Sequence, residues 1–273
     1  MKVLRSKLLQ KAYAVFKAYL LSEFLRSRGF IYGLVSLALW LSIFVLPMLL
    51  FIGETADPSW VSAGMFIGIM MFLFYSTASW EWAAELRWMI SDGRIEYYVA
   101  SGSGFLPHFL GVIPVSLIWL SLALFFNYVV LSAVITPPRL HVLNLPLFAY
   151  GLTLLIVCLM GYSLILGGTM ISSGVSGFVV ELISFVLPVA TGGFLPLRMM
   201  PRQLQIFALC TPFSYPAEMI RYSILGIEPV LGLEKTVVIG TLYVFVFIAI
   251  SSIYFKYQLN KALREGFKSI SIW

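Results

Sequence analysis

The chain has 273 residues, 60% of them hydrophobic and only 11% charged, with a mean hydropathy of +0.96, whereas a water-soluble domain carries about 25% charged residues. That balance excludes an ordinary soluble enzyme or nucleic-acid-binding domain, and it turns the net charge of +6 into a question of which membrane face bears the cations. Cys158 and Cys210 set no disulfide framework, and no polar or Pro/Ser-rich linker divides the chain, so residues 1–273 read as a single membrane domain.

In chain order, the first 28 residues are basic and amphipathic and lack a small-residue cleavage pattern, so they do not read as a removable signal peptide. Leu4, Leu8, Ala12, Val15 and Tyr19 recur at helical spacing opposite Ser6, Lys7, Gln10, Lys11 and Lys17, with Arg5 nearer the apolar stripe. This pattern predicts a helix lying in the headgroup layer, its stripe buried and its cations offered to anionic lipid or a cytoplasmic partner.

Six stretches then reach the length of about 20 apolar residues that a bilayer core requires. They are residues 30–52, 60–84, 109–135, 145–171, 175–196 and 236–255, and all 18 Lys and Arg residues fall outside them. Lys2, Arg5, Lys7, Lys11, Lys17, Arg26 and Arg28 precede the first stretch, and the loop after it, GETADPS, holds two acids and no base. Lys256, Lys261, Arg264 and Lys268 follow the last. The positive-inside bias therefore puts both termini in the cytoplasm, and a multi-pass plasma-membrane protein is expected, with 256–273 as a cytoplasmic tail. Trp60, Trp80, Trp82 and Trp88 lie near predicted span ends, as interfacial anchors do, while Trp40 is mid-span.

The cytoplasmic stretch between spans two and three is too polar to cross. Asp92 is placed to cap a short helix over 93–100 with Ile95, Tyr98 and Val99 on one side, and SGSG at 101–104 breaks it. Such a helix is a natural place for another protein to push; the plain alternative is a surface loop. Between spans five and six lie about forty moderately apolar, Pro-rich residues on the outer face, too interrupted for a span, which predicts helices that dip into the outer leaflet packed against protein. Glu218 and Arg221, three apart, are expected to pair on one helix face.

Glu181 is the acid deepest within a span, either a cation or proton site or a group hydrogen-bonded to a neighbouring helix; Glu81 lies closer to water. Pro188, Gly192 and Gly193 allow span five to bend or approach a neighbour. Enzymatic readings find little support. SGSG superficially resembles the G-x-S-G of rhomboid-type proteases but lies in a cytoplasmic loop, His108 and His141 fall on opposite sides of the bilayer, and Asp57 and Asp92 are too few for an alcohol phosphotransferase. A self-contained channel or secondary carrier is the remaining rival, although carriers usually show repeats and midplane ionisable groups.

Two motifs resemble the permease subunits of type-2 ATP-binding-cassette exporters, over essentially the whole length. The first cytoplasmic loop of that family reads like G-T-L-E-x-L-L-x-S-P and ends in a Gly; here Gly93-Arg94-Ile95-Glu96-Tyr97-Tyr98-Val99-Ala100-Ser101-Gly102 and Gly111 follow it, with Arg94 and Gly102 in place of the usual Thr and Pro. The family's outer-loop pattern appears as Gly193, Phe194, Pro196, Met200-Pro201, Pro212, Tyr215, Glu218, Arg221 and Gly226.

The resemblance implies an all-α fold of six transmembrane helices with an N-terminal amphipathic connecting helix, a short cytoplasmic coupling helix and outer re-entrant helices. It implies a dimer, with a copy or a related chain, driven by a cytoplasmic ATP-binding-cassette ATPase that docks at Gly93, Ile95, Glu96, Tyr97 and Tyr98. Pro212, Tyr215, Glu218 and Arg221 would form the outer gate, and Phe72, Phe74, Tyr75, Phe178, Glu181 and Phe185 would line the path. An aromatic lining favours a lipid-like or hydrophobic substrate. The chain has no G-x-x-x-x-G-K-[ST] phosphate loop, so ATP and Mg would be bound by the partner ATPase, with no cofactor and no enzymatic site in this chain, and with membrane lipids rather than nucleic acid as its surroundings.

Overall fold

Out of water a backbone must satisfy its own amides, and uninterrupted runs of Leu, Ile, Phe and Val do so as helices. The computed structural model describes residues 2–25, 32–33, 35–36, 39, 57–100, 106–173 and 177–266, and among them there are helices and connecting turns but no strand. Helix α1 (Lys2–Leu20) ends in a π-helical turn, Leu21–Leu25. Helix α2 (Pro58–Thr77) starts where the Asp57 carboxylate accepts the Ser59 amide at 2.9 Å with proline in the first turn, both favourable at a helix start. It continues through a π-helical stretch, Ala78–Ala83, into α3 (Ala84–Ser91). Gly93, at φ 67°, then reverses the chain into α4 (Arg94–Ala100), a backbone setting that glycine adopts without steric cost.

Helices α5 (Leu106–Val134) and α6 (Leu145–Ser173) follow, then α7 (Gly177–Ala190), α8 (Arg202–Leu209), α9 (Ser214–Leu225) and α10 (Leu233–Glu265). Among the described residues four helices are long and apolar enough to cross a bilayer: Pro58–Ile90, Pro107–Val134, Leu145–Ser172 and Leu233–Glu265. They correspond to the second, third, fourth and sixth expected spans. The first, 30–52, lies almost wholly outside the described residues, as does the SGSG break at 101–104.

The fifth expected span, 175–196, is represented among the described residues by a shorter helix, Gly177–Ala190. Its helix is only 14 residues long, about 21 Å at 1.5 Å per residue against a core of about 30 Å. It stops at Ala190 because Gly192 turns to φ 80° and the Gly193 amide folds back to the Pro188 carbonyl at 2.6 Å, a helix-ending arrangement.

The N-terminal stripe is also used differently from the expectation. Ala12 is buried, and Leu8, Val15 and Tyr19 are partly covered, while Gln10, Lys11 and Lys17 are exposed, so the periodicity is real; but α1 packs on α5 instead of leaving the stripe to the headgroups. Gly111 sets the approach. A Cβ there would lie 2.7 Å from the Ala12 carbonyl oxygen and from Val15 Cβ, so only glycine admits this crossing.

The core lies where α2, α6 and α9 meet, around Ile67, Met71, Tyr75, Leu155, Leu159, Met219 and Ile220, all fully buried. Helix α9 is buried on nearly all sides. Helix α10 offers the buried seam Thr236, Gly240, Val244, Ser251, Phe255 and Ala262 and leaves Leu242, Phe245, Val246, Ile250 and Ile253 exposed, as a helix facing lipid does.

Candidate functional site

Helix α4 follows the continuous rod Pro58–Ile90 across the Asp92–Gly93 turn and is held by side chains from three other elements. Ile95 is fully buried, and the Tyr98 hydroxyl meets His108 Nδ1, at the foot of α5, at 3.0 Å. Arg94 reaches Asp92 at 2.8 Å and Glu85 Oε1 at 3.5 Å, and donates to the Tyr19 hydroxyl of α1 at 3.4 Å. Tyr19 in turn donates to Glu85 Oε1, and His108 Nε2 stands 3.7 Å from that same oxygen. The Tyr19 and Tyr98 rings meet the imidazole edge-on at 5.7 and 5.3 Å. Asp92 thus serves differently from the cap predicted for it: its amide closes α3 on the Trp88 carbonyl at 2.9 Å, and its carboxylate receives the Arg94 guanidinium.

Burial pushes the Tyr19 hydroxyl above the usual phenol range, and its bond to Glu85 adds to the shift. Tyr98 is raised by burial. Burial works against the charge of Arg94, but Tyr19 and Glu85 more than offset it, so its pKa stands above the usual value. Burial also raises Glu23, opposed by Trp119 and reinforced by the charge of Glu85.

Of the residues expected at the docking face, Gly93, Ile95 and Tyr98 thus set the position of α4, and Tyr97 is its free surface, 78% exposed. Glu96 lies on α4, with its side chain outside the described residues. Tyr19, Glu85 and His108 were not among the expected site residues. The signal for them was faint: Tyr19 ends the α1 stripe, Glu85 falls one turn after Glu81, and His108 is one of only two histidines.

The outer candidates occupy the opposite end of α6. Glu218 and Arg221 are buried on α9, and the pairing predicted for them is corrected: each binds backbone instead. Glu218 accepts the amides of Leu197 at 3.3 Å and Val230 at 3.1 Å, while Arg221 donates to the carbonyls of Gly192 and Gly193. The reason is that the chain before α8 and the chain after α9 both return to α9 with unsatisfied backbone groups, which a buried charge satisfies better than a second side chain can. Burial lifts the Glu218 carboxyl above the usual range, with Arg221 and the two amides pulling the other way. Burial lowers Arg221 to about 10, opposed by Glu218. Tyr215 donates to the Leu209 carbonyl at 2.7 Å and thereby ties α9 to the end of α8; Pro212, half-buried, lies in the turn between them.

The expected path residues separate into two sets. Phe72, Phe74 and Tyr75 are buried within the chain, Tyr75 bonding Thr191 at 3.1 Å. Phe178, Glu181 and Phe185 lie on the exposed face of α7 with Leu182, Val186 and Val189, whereas Val180, Ser184 and Pro188 form its buried stripe. The sets touch where the Phe72 and Phe185 rings meet at 5.2 Å. Glu81 is exposed. Among the described residues no three His, Cys, Asp or Glu side chains form a metal-binding group. No family model and no curated protein matches the chain.

Proposed function

We propose that this chain is the membrane-spanning subunit of an ATP-driven exporter, working as one half of a dimer and powered by a separate cytoplasmic ATP-binding-cassette ATPase. The observation that carries this reading is the mounting of α4. A seven-residue helix with one bare aromatic, Tyr97, is suspended from the end of a 33-residue rod and braced sideways to α1 and α5, the arrangement a device needs if a push at one end is to tilt a helix across the bilayer.

On this reading residues 30–52 supply a further span, α7 and the turn after it cross as the fifth, both termini are cytoplasmic, and α8 and α9 are re-entrant from the outer side. The exposed α7 face, with Phe178, Glu181 and Phe185, faces the second permease chain and the path between them. Its aromatic surface suits a lipid-like or hydrophobic solute. The rival is a channel or secondary carrier that needs no ATPase.

The two are separated by isolating the tagged chain from its own membranes in mild detergent and measuring ATP hydrolysis in the eluate. Co-purifying ATPase activity is expected, and Tyr97→Asp is expected to reduce it about tenfold, as removing a central interface aromatic does, at unchanged yield of the chain. A chain that elutes without any ATPase and passes solute in vesicles without ATP overturns the proposal in favour of the carrier.

A further inference from the structure

Three elements distant in sequence converge on a single carboxylate oxygen. Glu85 Oε1, at the end of the Pro58–Ile90 rod, takes the Tyr19 hydroxyl from α1, faces Arg94 Nη1 from α4 at 3.5 Å and faces His108 Nε2 from α5 at 3.7 Å. The other ring nitrogen, Nδ1, meets the Tyr98 hydroxyl at 3.0 Å, so the imidazole stands between α4 and that oxygen. The other charges around it are Asp92 beyond Arg94 and the carboxylates of Glu23 and Glu81, whose negative charges reach Glu85 from the turn after α1 and from the rod itself.

The pair at the centre is partly wet, with side-chain exposures of 41% for Arg94 and 16% for Glu85. Such pairs contribute little to net stability, roughly 0–1 kcal/mol. Their geometry is nonetheless specific, because one oxygen accepts the Tyr19 hydroxyl and has nitrogens of two further helices within 4 Å. Without it α4 remains tied through Ile95 and Tyr98 but gains freedom to swing about Gly93. The contact from Tyr19 is also what joins α1 to α4.

We propose that Glu85 is a positioning residue that clamps α4 to α1 and to the foot of α5, so that the three move as one body when α4 is pushed. The proposal rests on the reading of α4 as the drive contact, and it adds the residue that makes that contact stiff. Arg94, which replaces the Thr of the family motif, is the cation that this clamp requires.

The test uses the full-length chain in lipid nanodiscs with Cys210→Ser, leaving the buried Cys158 in place, and spin labels at two exposed positions, Ala14→Cys on α1 and Ala100→Cys on α4. Pulsed dipolar spectroscopy is expected to give one narrow distance for the parent, and Glu85→Ala is expected to lose it while the melting temperature moves little. Tyr19→Phe is expected to broaden the distance in the parent and to add nothing in the Glu85→Ala background, the non-additivity that a shared contact produces. Glu85→Gln, which keeps an acceptor for Tyr19 and loses the charge that draws Arg94, carries the same measurement if Glu85→Ala fails to reach the membrane.

An unchanged narrow distance in the Glu85 variants, or full additivity with Tyr19→Phe, overturns the clamp. Loss of the distance in a chain that engages no ATPase supports the clamp and sinks only the exporter reading. Where an ATPase is bound, the Glu85 variants are expected to hydrolyse ATP with transport lost.

Discussion

Two groups of charged side chains sit at opposite ends of α6. Met219 and Ile220 of α9 pack at Gly151, and Ala83 and Leu86 pack at Gly167, 16 residues further on, or about 24 Å along the helix axis. At the Gly151 end Glu218 and Arg221 bind only backbone amides and carbonyls. At the other end Tyr19 and Arg94 bind Glu85 and His108 stands 3.7 Å from it, with Arg94 partly exposed. A charge that satisfies backbone is locked to the fold of its segment, because the partner cannot turn away without unfolding a loop. Side chains that satisfy each other can exchange partners by rotamer changes. The Glu218 and Arg221 group therefore behaves as mortar, and the Glu85 group as a joint.

The contrast breaks most sharply if Arg221 can be removed at no cost. Arg221→Met leaves the Gly192 and Gly193 carbonyls unpaired and Glu218 without its compensating charge, and it is expected to destabilise the protein by about 3–5 kcal/mol, as loss of one partner from a buried charged network does. Arg94→Met at the joint is expected to cost within about 1 kcal/mol. Thermal melting of both variants in the same detergent measures the difference, and equal shifts would erase the distinction drawn between the two ends.

Next in size is a change that leaves both charged groups intact and separates the joint from its support. Gly111→Leu forces a side chain into the Ala12 carbonyl and Val15 and is expected to cost about 1–3 kcal/mol, the usual range for overpacking. It should lift α1 off α5 before it melts the bundle, so that limited proteolysis cuts within residues 2–25 while 106–134 stays protected. Equal protection of both segments would mean that α1 is held elsewhere.

How far the sequence foretold this arrangement depends on whether a feature is local. The stripe Leu8, Ala12, Val15 and Tyr19, four of the spans and the short α4 follow from spacing within one segment, and each appears in the structure. The end of α7 follows only in part: Gly192 and Gly193 mark it within the segment, whereas Arg221, which binds their carbonyls, lies 29 and 28 residues beyond them. The joint was missed for the same reason. Tyr19 and Glu85 are 66 residues apart and Tyr19 and Arg94 are 75, and no pattern along the chain announces their meeting. Glu218 and Arg221 were read as each other's partners because they share a helix face; what decides is that burial brings nearer claimants, the amides and carbonyls of the flanking turns.

The smallest expected effect lies at the start of α2, where a charge binds backbone, as Glu218 and Arg221 do, but on an exposed side chain. Asp57 accepts both the amide and the hydroxyl of Ser59, at 2.9 and 2.8 Å, and the Ser59 hydroxyl, then its amide, hold the carboxyl below the usual carboxylate range, with Arg139 3.8 Å away adding slightly. A carboxyl whose folded pKa lies below its unfolded value stabilises the fold above the unfolded value and loses that contribution as pH falls through the folded one. Asp57→Asn keeps a competent cap and removes only the charge. The parent is therefore expected to melt slightly above the variant at pH 7, and the gap is expected to close as the pH drops below about 4, near the unperturbed carboxylate value. A gap that persists in acid would assign the cap's contribution to hydrogen-bond geometry alone. A gap approaching that of Arg221→Met would mean that exposure to water does not weaken a charge bound to backbone, and burial would no longer explain why Glu218 and Arg221 hold so firmly.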